Sequence, residues 1–515
     1  MGLFDFIGPA SGLLFTLENI IWINLGVFIG CVFAAIPGLS VILCIILFLP
    51  VTYTMKAIPG MMFLLGIYCA GGYGGSVSAI LINTPGTPHA AATMLDGHPL
   101  SKMGRTKAAL KIALYASTFG GIFSALVLLF LGPQVAKISA QLGTAEYFMV
   151  CLFGMTIIAG VSGKSLVKGI IAACLGLLIS CVGADPMTSY DRFTFGVHRL
   201  YLGLDLAVTL IGLFALVEII GKAELKRSEL NLHAGKIGND DGKITKDEYK
   251  RMLRPVLIGS LIGSCVGIVP GTGASEASWF SYNTAKNMSK HPEEFGHGSV
   301  EGVAAAESAN NAVCGATLIP LLTLGIPGDG VTALLLGAFV LHGIQPGPTM
   351  FTKQGVMAYT IIIGCLVANV LLAPLGLGMT RLVAKIVQVR YTYLAPVIIM
   401  FCFAGAFAAT GNTKELIICA GILIFSYILT VLDIDNTPLM LGMILEDIME
   451  QNFVTASMSY DRNYSIFITR PISAVILIIT VVLLVSMIRV NRRVAKLNEQ
   501  QEAQMAAEHA KMENA

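Results

Sequence analysis

Residues Gly71 to Pro88 read GGYGGSVSAILINTPGTP and lie inside an apolar run. Five glycines, two prolines and a group of Ser, Thr and Asn residues interrupt an otherwise membrane-like composition. Glycine in a helix interior costs about 1 kcal/mol relative to alanine, and proline about 3. In lipid, unpaired backbone N–H and C=O groups are tolerated only inside protein or beside water. The stretch therefore predicts a helix unwound at a site, its backbone groups and short hydroxyls open to an ion or a polar solute. The competing reading is a packed, kinked helix that uses small residues for close approach.

Composition sets the frame around this stretch. The chain has 515 residues, 55% hydrophobic and 12% charged, with mean hydropathy +0.77. Soluble domains carry roughly 25% charged residues. Apolar runs such as 361–377 and 472–487 recur along the chain. The expectation is an all-α polytopic membrane protein with roughly 11 to 14 helical segments, some not crossing fully. Transmembrane strands would instead show short alternating segments. A net charge of +2 makes no case for nucleic acid. No basic residue precedes Lys56, so the first helix is expected to be retained and not cleaved as a signal peptide. The eleven Cys are scattered singly, with no CxxC pair, and read as small core hydrophobes.

Segments are expected near 19–36 and up to about 57, then near 108–132, 145–162, 166–183 and 199–221. After a polar linker, further segments fall near 255–269, 274–286, 300–325, 329–343, 355–380, 392–410, 414–432, 436–450 and 468–490. The expected organisation is a first repeat 1–221, a linker 222–254, a second repeat 255–491 and a polar tail 492–515. Within the linker, Asn239-Asp240-Asp241-Gly242 with Glu248 imitates part of an EF-hand loop. The first ligand position holds Ile237, so calcium is not expected there. The repeat rests on three matches in the same order. Ala35-Ile36-Pro37-Gly38 pairs with Gly267-Ile268-Val269-Pro270-Gly271. Asn83-Thr84-Pro85-Gly86 pairs with Gly325-Ile326-Pro327-Gly328. Ser189-Tyr190-Asp191-Arg192 pairs with Ser459-Tyr460-Asp461-Arg462. Duplicated halves with Pro-Gly-broken helices meeting near the membrane midplane are the sequence pattern of a secondary transporter.

The second half carries the richer polar set. Pro270 to Ser278 reads PGTGASEAS, a turn leading into a helix N-terminus, which favours anions. Thr272 and Ser275 add hydroxyls. Glu276 fits either a capping position or an ion ligand, and Asp329 either caps the next half-helix or lines the site. Glu307, Asn310 and Asn311 sit inside an apolar run. An acid there is costly and by default functional. Glu307 and Asn311 share a helix face by their i,i+4 spacing, and suit either a sodium ion, a protonatable site or an interhelical hydrogen-bond network. No HExxH, GxSxG, Walker or paired-Cys pattern is present, so catalysis, ATP hydrolysis and a bound metal cofactor are not expected.

Four blocks resemble one family: GGYGGSVSAILINTPGTPHAAATMLDGHPL (71–100), GIVPGTGASEASWFSY (267–282), EGVAAAESANNA (301–312) and LGIPGDGVTALLLGAF (324–339). The chain resembles the large membrane subunit of the bacterial tripartite tricarboxylate transporters, over roughly residues 10 to 490. That resemblance implies a periplasmic solute-binding protein, a small second membrane subunit, and import of a tricarboxylate or related carboxylate across the inner membrane. The resemblance implies that cation symport, with sodium or protons, drives the import. It further implies kinship with ion-coupled carboxylate carriers built from inverted repeats and moving hairpins. A channel-like or structural membrane component, and a stand-alone carrier without a binding protein, are the rival classes.

A carboxylate must then be held where Lys and Arg are absent, since none lies within 255–285 or 303–343. Half-helix N-termini and hydroxyls are the expected ligands: Asn83, Thr84 and Thr87 from one half, and Thr272, Gly273 and Ser275 from the other. At Gly86 and Gly328 the backbone is expected to approach the solute. Glu307, Asn310 and Asn311 are expected to bind the neutralising cation. Arg489, Arg492, Arg493 and Lys496 put the tail in the cytoplasm.

Overall fold

The computed structural model describes residues 5–37, 39–161, 165–185, 188–223, 242–386 and 391–489. Linker residues 224–241, most of the EF-hand-like sequence, Gly38 and the tail 492–515 lie outside the described residues. Eight helices among the described residues are long and apolar enough to cross a membrane, and five shorter apolar helices accompany them. The protein is an all-α membrane protein, as its hydropathy predicts.

The helices are α1 (Ile7–Leu14), α2 (Leu17–Ala35), α3 (Val41–Thr52), α4 (Ala57–Ile82), α5 (Ala91–Lys102), α6 (Thr106–Ser139), α7 (Thr144–Val161) and α8 (Leu166–Ser180). Next are α9 (Leu206–Gly221), α10 (Lys246–Ile268), α11 (Ala274–Met288), α12 (Val300–Leu324), α13 (Gly330–Leu341) and α14 (Gly355–Ile386). The last are α15 (Tyr391–Thr410), α16 (Lys414–Val431), α17 (Asn436–Ser459) and α18 (Pro471–Arg489). They form two compact units. One comprises residues 1–142 and 195–428, the other 143–194 and 429–515. Each unit draws on both halves of the sequence.

The first unit is built on α4 and α12, whose residues are buried almost throughout. Small residues explain how other backbones reach them. A Cβ on Gly26 or Gly30 of α2 would meet the carbonyl oxygens of Phe63 or Ile67 at 2.1 and 2.5 Å. On α10, Gly259, Gly263 and Gly267 recur every four residues against the backbone of Ala305, Ala309 and Val313. These are the small-residue seams that let membrane helices touch without a hydrophobic driving force. Helix starts follow local chemistry. Ser40 accepts from the Leu43 N–H at 3.1 Å, and Ser299 from the Gly302 N–H at 3.2 Å. Thr245 and Glu248 form a capping box on α10.

One expectation needs correcting. The GGYGGS run is helical: α4 continues unbroken to Ile82. Its glycines are contact points, Gly71 against Val41 and Gly74 against the Cys31 carbonyl. Packing recovers what glycine loses in propensity. The break starts only at Asn83, which caps α4 in the left-handed region with φ 56°. Other breaks fall at Pro37, at Pro270-Gly271 and at Pro327-Gly328, between α2 and α3, α10 and α11, and α12 and α13.

In the second unit, α8 packs on α17. Ser180 donates to the Met443 carbonyl at 3.0 Å, and Gly176 lies against the Leu439 carbonyl. The first SYDR motif enters a two-residue antiparallel pair, Ala184 opposite Asp191. There Arg192 makes a bidentate ion pair with Glu450, at 2.6 and 2.9 Å.

Candidate functional site

Because α4 and α12 run antiparallel where they cross, residues 76 to 68 of one meet residues 307 to 317 of the other. A polar seam follows. Ser76 donates to Oε1 of Glu307. Asn310 donates to the Gly72 carbonyl at 3.2 Å, and Asn311 to the Cys69 carbonyl at 3.2 Å. The Tyr68 hydroxyl lies 2.8 Å from Thr317 Oγ1 and donates to Asp329 Oδ2 at 3.1 Å. The seam runs from a buried acid to the start of α13.

Glu307 is fully buried. Its carboxylate accepts from three hydroxyls on three helices: Ser76 of α4, Thr93 of α5, and Ser117 of α6 at 2.6 Å. Hydroxyl donors to both oxygens stabilise charge away from water. One turn along, the side chains of Asn310 and Asn311 are fully buried as well. Each amide nitrogen faces a backbone carbonyl, so each oxygen faces away, and neither oxygen has a partner among the described residues. Both oxygens approach Gly72. A Cβ there would lie 2.2 Å from Asn311 Oδ1 and 3.4 Å from Asn310 Oδ1. Asn369 of α14 adds a third fully buried amide oxygen without a partner. Buried acceptors without donors are costly, and neutral amide oxygens are cation ligands.

The breaks meet beside this seam. The chain folds back along α4, with the Gly86 N–H donating to the Gly75 carbonyl at 3.1 Å. It likewise folds back along α12, placing Gly328 against Thr317. The Gly271 N–H donates to the Gly328 carbonyl at 2.8 Å, joining the two breaks of the second half. At the centre is a cavity of about 10 Å³, bordered by Val41, Tyr68, Gly72, His89, Ala274 and Asp329. A space of that size suits about one water. Three helix N-termini border it, those of α3, α11 and α13. Each already holds an acidic group. Ser40 donates to Glu218 at 3.0 Å. Glu276 accepts from the Gly273 N–H at 3.1 Å. Asp329 accepts from the Thr332 N–H at 2.7 Å. The remaining first-turn N–H groups, such as those of Ala274 and Ser275, have no intrahelical acceptor. His89 lines the same cavity as Asp329.

The structure places the expected site residues in three settings. Glu307, Asn310 and Asn311 lie together on the seam, and Thr87 is buried against Gly75 with an unpartnered hydroxyl oxygen. Gly273 and Gly328 belong to the breaks bordering the cavity, and Ser275 to the first turn of α11. Asn83 and Thr84 open their break, Asn83 exposed and Thr84 donating to the Ile82 carbonyl at 3.4 Å. The Thr272 hydroxyl faces the last carbonyls of α10, Val266 at 2.5 Å and Val269 at 2.7 Å. Gly86 abuts protein, since a Cβ would meet the Ala34 carbonyl at 2.1 Å and Ser78 Oγ at 2.6 Å. Glu276 and Asp329 both cap helices. Ser76, Thr93, Ser117, Asn369, Tyr68 and His89 were not legible as site residues. No local motif marks a hydroxyl whose partner lies some 200 residues away.

Comparison with known proteins completes the picture. Residues 20–441 match the family described as the tripartite tricarboxylate transporter TctA family. The chain is 36% identical over 461 residues to an uncharacterized 52.8 kDa protein in the TAR-I ttuC' 3' region of Agrobacterium vitis, covering 89% of this chain and 91% of that one. It is 41% identical over 217 residues to an uncharacterized protein in the TAR-II ttuC' 3' region of the same organism, covering 42% of this chain and 89% of that one. No solved structure matches.

Proposed function

The chain belongs to the tripartite tricarboxylate transporter TctA family, and from that premise we propose that it is the permease subunit of a binding-protein-dependent symporter. It imports a tricarboxylate or related carboxylate across the bacterial inner membrane, together with sodium ions or protons. Its partners are a periplasmic solute-binding protein and a small membrane subunit. The family is one of transporters, and the chain is read as a carrier and not an enzyme.

One observation carries this reading: three helix N-termini converge one turn from the unpartnered oxygens of Asn310 and Asn311, around a space that has room for about one water here and must open to admit a carboxylate. First-turn N–H groups suit a carboxylate, and the amide oxygens suit a cation. The acids make the two inseparable. Asp329 borders the cavity and Glu307 lies on the same seam. Two unit negative charges ~8 Å apart repel by roughly 2 kcal/mol at an effective dielectric of 20. An anionic solute arriving alone is opposed by each acid that is ionised. A cation at the Asn310 and Asn311 oxygens removes that opposition, which favours joint binding.

The test is uptake of labelled carboxylates by vesicles, with and without the binding protein and with sodium, proton or no gradient. The proposal expects accumulation only with both the binding protein and a cation gradient. Uptake independent of a gradient points to a channel-like pore. Uptake independent of the binding protein points to a stand-alone carrier.

A further inference from the structure

One cavity away from the seam carries charges that transport does not use. It lies in the first unit where α10 begins and α11 ends, and its volume is about 390 Å³. Lys250 and Arg254, one turn apart on α10, line it with Lys290, His291 and Arg251. Two carboxylates, Asp247 and Glu301, also line it. Arg251 is taken up by ion pairs to Glu294 at 2.5 Å and Glu301 at 2.8 Å. Lys250, Arg254 and Lys290 have no ion-pair partner among the described residues. The cavity thus presents three free cations in a concave setting, which suits a phosphate-bearing anion.

The surroundings say which kind. Leu253, Leu257 and Leu261 are exposed at i, i+4 and i+8. They form a stripe displaced by about 60° around α10 from Lys250 and Arg254. Because α10 is long and apolar enough to cross a membrane, that stripe faces acyl chains directly beside the basic cavity. The same end of the unit gathers the other basic loops. Arg105 pairs with Glu248 at 2.7 Å, and Lys111 donates to the Gly242 carbonyl at 3.0 Å. Asp96 ties α5 to the N–H groups of Gly296, Gly298 and Ser299 at 2.8 to 2.9 Å. Lys102, Arg105, Lys107 and Lys111 are therefore on one face with Lys250, Arg254 and Lys290. The other end of α4 carries Lys56, which pairs with Glu18. The positive-inside rule puts the basic face in the cytoplasm, against the leaflet surface where basic pockets bind anionic headgroups.

We propose that this cavity binds the headgroup of an anionic phospholipid, with Lys250, Arg254 and Lys290 on the phosphate and an acyl chain along Leu257 and Leu261. The site is independent of the transport reading. The test uses the purified full chain in neutral detergent, titrated with dioctanoyl phosphatidylglycerol, dioctanoyl phosphatidylcholine or inorganic phosphate. Bound lipid is counted by native mass spectrometry. Phosphatidylglycerol should bind and phosphatidylcholine should not. The Lys250→Gln, Arg254→Gln, Lys290→Gln triple variant should lose phosphatidylglycerol affinity by at least about tenfold. A Lys250→Arg, Lys290→Arg variant, which keeps the charges, should retain it. So should Lys56→Gln, Lys353→Gln, which removes charge outside the cavity. Equal binding of both lipids, or undiminished phosphatidylglycerol binding by the triple variant, overturns the proposal. Displacement of phosphatidylglycerol by equimolar inorganic phosphate overturns it too, marking the cavity as a free-phosphate site.

Discussion

Replacing Gly72 with alanine puts one methyl group between α4 and the two unpartnered amide oxygens. The added Cβ would lie 2.2 Å from Asn311 Oδ1 and 3.4 Å from Asn310 Oδ1. The Asn311 carboxamide must retreat by roughly 1 Å to reach ordinary contact distance. That movement strains or breaks its bond to the Cys69 carbonyl, now 3.2 Å. Losing such a buried bond costs about 1–3 kcal/mol, while alanine returns about 1 kcal/mol of helix propensity. The protein should therefore fold with a net loss of at most about 2 kcal/mol. A ligating oxygen displaced by that distance should weaken cation binding about tenfold, equivalent to about 1.4 kcal/mol. Initial uptake rates against cation concentration should show the half-saturating concentration rising by that factor. Gly71→Ala is the control, because its Cβ would meet Val41 Cγ2 at 2.4 Å and no polar atom. It should lower stability and leave the cation curve in place. If Gly72→Ala keeps a half-saturating concentration within twofold of the parent, the reasoning about these oxygens is wrong.

Other outcomes follow from the same contacts. Glu307→Gln replaces one acceptor oxygen with a donor that faces hydroxyls, so it should weaken cation dependence while leaving the binding protein's affinity for solute unchanged; uptake kinetics and solute titration measure the two. Gly86→Leu should abolish uptake with the protein still in the membrane, because even a Cβ would meet the Ala34 carbonyl at 2.1 Å; uptake and membrane-fraction blots check this. Thr272→Val removes the hydroxyl that caps the last carbonyls of α10, and should lower thermal stability by about 1 kcal/mol with the cation curve unchanged. Met103→Cys, at an exposed position in the basic face, should react with an impermeant maleimide in inside-out vesicles and not in right-side-out ones.

The spans were legible because hydropathy over 20 residues is a coarse signal that packing rarely overrides. The breaks were legible for a different reason: no helix absorbs Pro-Gly beyond its first turn at low cost, and residues 269–273 and 325–329 obey that rule, whereas Pro59-Gly60 sits in the first turn of α4. Gly71 to Gly75 misled because glycine has two uses in a membrane. It weakens a helix, but it also lets another backbone come close, and the Cys31 carbonyl sits where a side chain on Gly74 would be. Only the neighbour decides between them, and the neighbour is about 40 residues away. Glu307 stood out as an acid in an apolar run, whereas its three hydroxyl partners did not, since Ser76, Thr93 and Ser117 resemble any small polar residue in a packed helix. Asp329 and Glu276 were legible as caps because capping is local. That Asp329 shares a cavity with His89 depends on chain reversals that no short pattern encodes.

On the proposed mechanism the solute and its cation cross together, the cation held beside the helix N-termini by the Asn310 and Asn311 oxygens. The direct measurement is the number of cations entering proteoliposomes per carboxylate, followed with labelled sodium or an internal pH dye after the binding protein is added. Cation influx should run in step with carboxylate influx, at one or more per solute, and both should be lost in Asn311→Ala. Carboxylate influx with no accompanying cation would contradict it.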